Sequence, residues 1–510
     1  MPNQYDVIVI GAGNGGLATA AFTAKNGLKT LLVEKHNIPG GSATSFVRGR
    51  FEFETSLHEL CTLGTKENPG GIMKFFDMLG VDLEIATSMD HTFRLIVPSE
   101  GIDADMPCGP REFIGKLEQL VPGSAPSMMQ VAKYGGMAAE AYSFMDSPEF
   151  SIEAMNERYP DFFRLAGHSV TEVLDELGMP KAAQNIITTY WGYLGAPPSE
   201  LDFLIYARML MGYIVYGAGM TRMRSHELSM SLEKVIRDCG GQIWYNSEAE
   251  EILVKDGKAC GVVIGGKEYL AKHVVSNSHP NMVYGSMIDP EQVPEGAFKL
   301  SNSRDIGALF TTVYLGMNRT PQELGIDSYS YFIAPSSDPE VQYRGACNTR
   351  DFPNYVIMNC LNNVIPDCTP EGTCQLFFTT LYFGHGWDDV TPEEYAKIKN
   401  ETAEKIIDCA EKSLGLNLRP YIEEIVVATP VTFARYLNSP AGTPYGYQAH
   451  PWDSFIQRNL TKKDESFIGN LYFAGAGTRR GDGYSSAYLS GLDAGQEVVR
   501  AERQKGGIER

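Results

Sequence analysis

The sequence predicts an α/β chain with two parts: a domain built on a parallel sheet flanked by helices, and a second domain of mixed α+β character. Three observations carry this prediction. Tyr5–Glu34 reads as strand, glycine turn, helix, strand and acid: YDVIVI, GAGNGG, LATAAFTAKNG, KTLLVE. A strand, a glycine-bearing loop and a helix return at Asn470–Gly495, NLYFAGAGTRRGDGYSSAYLSGLDAG. Between them, a helix and short strands from Glu227 to Asn277 interrupt stretches rich in Met, Tyr and Phe. Strands that alternate with helices imply parallel pairing, because each crossover must pass over a sheet face.

In the first stretch, Gly11, Gly13 and Gly16 stand at G-x-G-x-x-G spacing with Ala12 between the first two. The first glycine permits a tight turn, the second lets backbone approach a pyrophosphate, and the third lets helix and strand pack closely. The helix N-terminus then offers free amides and partial positive charge to phosphates. Glu34, followed by Lys35, closes the second strand about twenty residues on, where an acid hydrogen-bonds a ribose hydroxyl. The combination specifies a Rossmann-like dinucleotide site.

Composition bounds the rest. A chain of 510 residues exceeds what one core supports, so at least two lobes are expected. Apolar content of 43% and charged content of 21% are those of an ordinary globular protein. A net charge of −20 argues against nucleic acid as a partner and against broad attachment to anionic lipid. It leaves room for a local, peripheral membrane contact. Nine cysteines with no C-x-x-C pair point away from a structural metal or disulfide framework and toward a reduced, cytoplasmic protein. The first residues enter a strand without a basic leader, and the most apolar run, Leu201–Met220, is broken by Asp202 and Arg208.

Along the chain, Pro39-Gly40-Gly41 predicts a turn, followed by the small residues Ser42 and Ala43. RGRFEFETSLHEL predicts a strand pair ending at His58 and Glu59. From about 70 to 225 the Met- and aromatic-rich stretches predict buried helices, in which Tyr190, Trp191, Tyr193, Tyr206, Met209, Tyr213 and Tyr216 include the lining of an apolar tunnel. Asp256-Gly257 marks a hairpin, and GALFTTVYLGM and CQLFFTTLYFG read as alternating strands of an antiparallel sheet. Thr391-Pro392-Glu393-Glu394 opens a helix that runs through Leu414 and ends on Gly415. A last helix is expected to begin near Ser485.

Together GAGNGG, LLVEKHNIPGG, FETSLH, the Gly240–Val275 block, TPVTFARYL…GTPYG and NLYFAGAGT…GDGYSSAYLSG resemble the phytoene desaturase, carotenoid isomerase and retinol saturase group of flavoproteins. The likeness reaches both ends and the middle of the chain. It implies FAD, bound by Gly11, Ala12, Gly13, Gly16, Glu34, Lys35, Gly41 and Ser42 at one end and by Gly475, Gly477, Thr478 and Gly483 at the other. It also places Ala249 and Ile252 near the adenine, through main chain more than side chain. The implied layout is a discontinuous FAD-binding domain of residues 1–85, 225–285 and 456–510, and a substrate-binding domain of 86–224 and 286–455.

The sequence departs from that group at several points. Ser42 stands where an arginine often follows the glycine pair, and Ser56 and His58 replace small residues. MTRMRSHELSMSL lacks the double glycine usual before its helix, and Arg479-Arg480 replaces a common His-Pro. The arginines read either as partners of a phosphate or surface acid, or as an anchor for an oxygenated substrate head that a plain hydrocarbon would not need. With Tyr190, Trp191 and Tyr213 they form the expected substrate set.

The resemblance implies an oxidoreductase acting on CH–CH or C=C bonds of an apolar isoprenoid, carotenoid-like or fatty substrate, by hydride exchange with flavin N5. His58, Glu59 and Tyr484 are the candidate proton-handling groups by proximity to the motifs. A reduced-FAD cis–trans isomerase, a flavin amine oxidase and a non-enzymatic prenyl-binding protein remain as alternatives. No metal is expected.

Overall fold

The computed structural model describes residues 4–506 except 89, 146, 148, 348–354, 385–386, 454, 462–464 and 482. Asp482 of the closing motif therefore lies outside the described residues.

Five strands form a parallel core. The strand Tyr5–Ile10 is flanked on one side by Thr30–Val33 and then Gln242–Trp244, and on the other by Lys267–Ser276 and then Leu471–Phe473. Strands far apart in sequence thus meet at neighbouring positions. Lys267–Ser276, expected only as a short piece, runs for 10 residues and serves two ladders. Its second half pairs in parallel with Tyr5–Ile10, while its first half pairs antiparallel with Lys258–Ile264. That partner is joined to Ala249–Lys255 by a tight turn. Asp256 and Gly257 both have positive φ, 51° and 71°, the conformation that lets a two-residue loop follow strand twist.

The helix Asn14–Lys25 packs against the helices Tyr484–Gln504 and Arg224–Asp238. Glycine sets the first of these contacts. A Cβ on Gly491 would lie 2.1 Å from the Gly15 carbonyl oxygen, and the bare backbones come close enough for Thr19 Oγ1 to donate to Gly491 O at 2.9 Å. Any larger residue would push the C-terminal helix away from the first.

A second seven-stranded sheet is ordered Ile422–Ala428, Leu309–Met317, Cys374–Tyr382, Val356–Cys360, Ser330–Ile333, His91–Val97 and Ile102–Pro107. It is antiparallel except where Ser330–Ile333 runs parallel to His91–Val97. Leu309–Met317 does not alternate buried with exposed: every residue is buried, because both faces are covered. On one face lies the helix Pro392–Leu414, capped by Thr391, whose side chain accepts from the Glu394 amide, and ended by Gly415 at φ 66°. It buries Ile406 and Ile407 among Val313, Leu315, Met358 and Phe378, each fully buried aliphatic side chain contributing about 2 kcal/mol. The opposite face carries Ile357, Asn359, Thr379 and Leu381 toward a cavity.

A helical layer closes that cavity. Ala125–Met145 and Phe203–Tyr216 cross closely at Gly135, where a Cβ would sit 2.6 Å from the Ala207 carbonyl. Asp202 is the N-cap of the second helix and accepts from the Ile205 amide at 3.0 Å, which explains an acid inside an apolar run. Among the described residues, no helix is long and apolar enough to cross a membrane.

Candidate active site

One cavity of about 1120 Å³ runs from the glycine loops of the parallel sheet to the inner face of the antiparallel sheet. Its first half is made of backbone. Gly11 (φ 89°), Gly13 and Gly15 from the first loop, Gly40 (φ 114°) and Gly41 (φ 61°) from the second, and Gly475 (φ 95°) and Gly477 from the last all line it. A Cβ at Gly41 would stand 3.1 Å from Gly13 Cα, and one at Gly15 would stand 2.5 Å from the Gly475 amide nitrogen. The three loops therefore touch through bare backbone, leaving a cradle that side chains would fill.

Asn277, at the end of a parallel strand, joins two of these loops. Its Oδ1 accepts from the Gly16 amide at 3.1 Å, and its side chain lies against Gly11, Gly13, Gly15 and Gly475. Sequence reading ended that strand at Asn277 without giving it a role; an amide after an apolar strand and before His-Pro was the available signal. Ser490 completes the clasp by accepting from the Gly475 amide at 2.8 Å.

Glu34 stands at the far end of the cradle. Its Oε2 accepts from the Ala12 amide at 2.6 Å and its Oε1 from the His36 amide at 2.8 Å. Each oxygen keeps a second lone pair for a ribose hydroxyl. Lys35, Ser42, Ala249 and Gly483 also line the cavity. Ile252, expected beside Ala249, is buried in the sheet core at 1% exposure. Ala12 and Gly16 lie behind the loop, where a Cβ on Gly16 would be 1.9 Å from the Gly11 carbonyl oxygen, the close packing that its position in the motif demands. The cradle, its acid and the helix N-terminus fit an extended dinucleotide.

Thr478 corrects one expectation. Its hydroxyl donates to the Gly475 carbonyl at 2.7 Å, and its own carbonyl accepts from Arg458 at 3.0 Å. It shapes the loop and does not face the cavity.

Arg479 and Arg480 correct a second. Both converge on buried Asp493: Arg480 binds it through Nε at 2.5 Å and Nη2 at 2.7 Å, and Arg479 Nη2 stands 2.8 Å from the same carboxylate. Arg479 also donates to Asn459 at 2.6 Å and is off the cavity wall. Arg480 reaches the wall while bonded through two nitrogens to Asp493. The pair answers to a buried acid of its own chain, where the sequence suggested a phosphate, a surface ion pair or a substrate head.

The aromatic set divides. Tyr193, Met209, Tyr213 and Tyr216 line the cavity; the last three lie on one stripe of the helix Phe203–Tyr216. Tyr190, Trp191 and Tyr206 are core residues instead. Tyr190 donates to the Thr92 carbonyl at 2.6 Å, Trp191 to Gln342 at 2.6 Å and Tyr206 to the Ile187 carbonyl at 2.7 Å. Each polar tip is spent inside the lobe, so Tyr190 and Trp191 are withdrawn from the substrate set.

The strand pair predicted to reach His58 and Glu59 is shorter, a hairpin of Ser45–Arg48 and Phe51–Glu54, with both residues in the irregular segment after it. They are nonetheless on the cavity wall, as is Tyr484. The His58 ring stacks on Phe377 with centroids 4.1 Å apart and donates through Nε2 to the Glu54 carbonyl at 3.2 Å. Burial holds the imidazole neutral, with its pKa lowered to about 4. Glu59 behaves oppositely, its pKa raised to about 7 by burial and only partly drawn back by the hydroxyls of Tyr193 and Ser330. Tyr484 is bonded to Ser56, and burial pushes its phenol up to about 12.

Where the sequence lacks the double glycine, Arg224 adopts φ 61° without being glycine. Its guanidinium is buried against Glu52, at 2.6 Å, and stands 3.8 Å from Glu54. Glu54 is itself 1% exposed, with neither carboxyl oxygen hydrogen-bonded, and burial lifts its pKa to about 7 despite Arg224. The ion pair offsets a backbone strain of about 1–3 kcal/mol.

Known proteins resemble the chain over nearly its whole length. A family profile described as an NAD(P)-binding Rossmann-like domain matches residues 9–79. The chain is 23% identical to all-trans-retinol 13,14-reductase of Danio rerio over 98% of this chain and 86% of that one. It is 24% identical to the chloroplastic prolycopene isomerase of Daucus carota, over 97% and 80%. The chain is thus similar, over nearly its whole length, to retinol reductases and carotenoid isomerases. Solved structures share this family fold more widely. An oxidoreductase from Methanosarcina mazei superposes with a TM-score of 0.63 at 17% identity, covering 96% of this chain and 99% of that one. A cofactor-binding redesign of putrescine oxidase gives 0.64 at 14% identity, covering 98% and 99%. The chain is accordingly an enzyme with an α/β, Rossmann-like frame.

Proposed function

We propose that this enzyme binds FAD across the glycine cradle and reduces or isomerises carbon–carbon double bonds of an apolar polyene. The observation that carries the reading is the continuity of one cavity from the paired glycine loops to the Met- and Tyr-lined wall. A dinucleotide held at Glu34 and the loops would point its far end into an apolar chamber of the size a long flexible substrate needs. Bound FAD would supply hydride exchange. The protein's own part is to hold the polyene against the flavin and keep water out: Tyr193, Met209, Tyr213 and Leu381 give a close apolar wall, and buried His58 carries no charge into it.

The retinol reductase and prolycopene isomerase relatives support a polyene as substrate class, one named for saturating a bond and the other for isomerising one. The domain reading that follows assigns 1–85, 225–285 and 456–510 to FAD and 86–224 with 286–455 to the substrate.

The test is spectroscopic. Purified protein is expected to show an oxidised flavin spectrum, or to acquire one on reconstitution with FAD. After anaerobic reduction, all-trans-retinol or a cis-configured carotene should be converted. Retinol consumption with one flavin reoxidised per bond indicates saturation, and isomerisation without reoxidation indicates the second activity. A protein that cannot be reconstituted with FAD, or whose flavin responds to no polyene, sinks the reading.

A further inference from the structure

One side chain of the cavity wall combines burial with a scarcity of hydrogen-bond donors. Glu59 is 8% exposed, yet lies on the cavity wall beside His58, Tyr193 and Asn359. Asn359 Nδ2 approaches Oε2 at 3.4 Å while also donating to Ser330 Oγ at 3.2 Å. Oε1 makes no hydrogen bond among the described residues. The protein groups that bear on its ionisation are the hydroxyls of Tyr193 and Ser330, with no cation among them. An ionised carboxylate kept from water with so few donors is expensive, and the group stays a neutral acid instead.

Its neighbours do not share that property. His58 is a neutral imidazole at neutral pH, its remaining N–H spent on the Glu54 carbonyl, and Tyr484 is bonded to Ser56 with its phenol pushed up to about 12. One group on this wall is thus both buried and holding a proton that it can release.

We propose that Glu59 is the carboxylic acid that protonates one carbon of the substrate double bond when this site saturates it. The proposal rests on the reading of reduced flavin beside a polyene and deepens it. In the balanced step the C=C π bond breaks, one carbon takes a hydride from the two-electron-reduced flavin, and its neighbour takes the proton from Glu59. The flavin ends oxidised, the substrate ends with a CH–CH bond, and the Glu59 carboxylate recovers a proton from water. Asn359 is the positioning residue, holding Oε2 while Oε1 is left without a hydrogen-bond partner among the described residues.

The experiment uses FAD-loaded protein, reduced anaerobically, with all-trans-retinol as probe. The parent's single-turnover rate should fall as pH rises through about 7, and product formed in D₂O should carry one solvent deuterium beside the carbon that received hydride. Glu59→Gln, close to isosteric, should slow turnover about 100-fold and flatten the pH profile, with Glu59→Asp restoring part of the rate. An infrared readout stands apart from turnover: a carboxylic C=O band titrating near neutrality, shifted by retinol and missing in Glu59→Gln. A Gln variant with the parent's rate and pH profile overturns the proposal, as does an infrared titration that finds Glu59 ionised in mild acid. A chain that never binds flavin defeats the reading of the site, while the infrared band still decides the state of Glu59.

Discussion

The two ends of the cavity are built from different material. Around the parallel sheet the wall is main chain, exposed because seven glycines carry no side chain there. Around the antiparallel sheet it is side chain: Tyr193, Met209, Tyr213, Ile357, Thr379 and Leu381, each placed by packing behind it. A backbone wall tolerates no added atom but asks for nothing beyond glycine spacing. A side-chain wall tolerates exchange of one apolar residue for another, and its shape depends on the whole lobe. The first half suits a ligand of fixed shape, and the second suits one whose fit is set by exchangeable apolar side chains.

The largest test of this contrast is Gly15→Val. Its Cβ would meet the Gly475 amide nitrogen at 2.5 Å and Asn277 Oδ1 at 2.6 Å, and the amide cannot yield without moving the last loop. Flavin affinity should fall more than about 100-fold, roughly 3 kcal/mol, seen as a colourless protein after desalting with its circular dichroism preserved. A variant that stays yellow would break the claim that the cradle is backbone-limited.

Glu54 gives the next effect, through pH. Its pKa is raised from 4.5 to about 7, so between those values the folded chain keeps a proton that the unfolded chain has lost. Stability therefore falls as pH rises across that window and levels off above it. Glu54→Gln removes the fall, and its stability relative to the parent should rise by roughly 3 kcal/mol from the bottom of the window to about pH 8, in urea titrations. Parallel curves would show that Glu54 is ionised in the folded chain, as a salt-bridge partner of Arg224.

The smallest effects separate core from wall. Tyr190→Phe deletes the bond to the Thr92 carbonyl and should cost about 1 kcal/mol of stability without altering polyene binding. Met209→Trp, on the wall, should do the reverse and weaken retinol binding about tenfold with little change in stability. If Tyr190→Phe changed binding instead, the division of the aromatic set would be wrong.

This contrast also explains what the sequence could reveal. Gly11, Gly13, Gly16 and Glu34 are legible because local spacing alone fixes a turn, a helix N-terminus and a strand end. Thr391, Leu414 and Gly415 are legible for the same reason, since caps act within one turn. Tyr190 and Tyr213 are both tyrosines of one aromatic run, and only long-range packing decides that the first donates to Thr92 while the second faces the cavity. Arg480 is similar: its partner Asp493 is more than two turns into the following helix, and nothing local says that helix folds back over the loop. Asn277 shows the limit most clearly, because its role exists only where the first and last loops are already together.

That dependence bears on when the enzyme comes into being. Gly16, Asn277 and Gly475 are separated by hundreds of residues, yet the pocket for the nucleotide closes only when all three are in place. During synthesis the opening motif waits for nearly the entire chain, and contacts of such range form slowly. A chain cut short before the last strand would keep the complete glycine fingerprint and still have no site. Retention of a nucleotide would then report that the first and last loops have met, because its binding stabilises only the closed form.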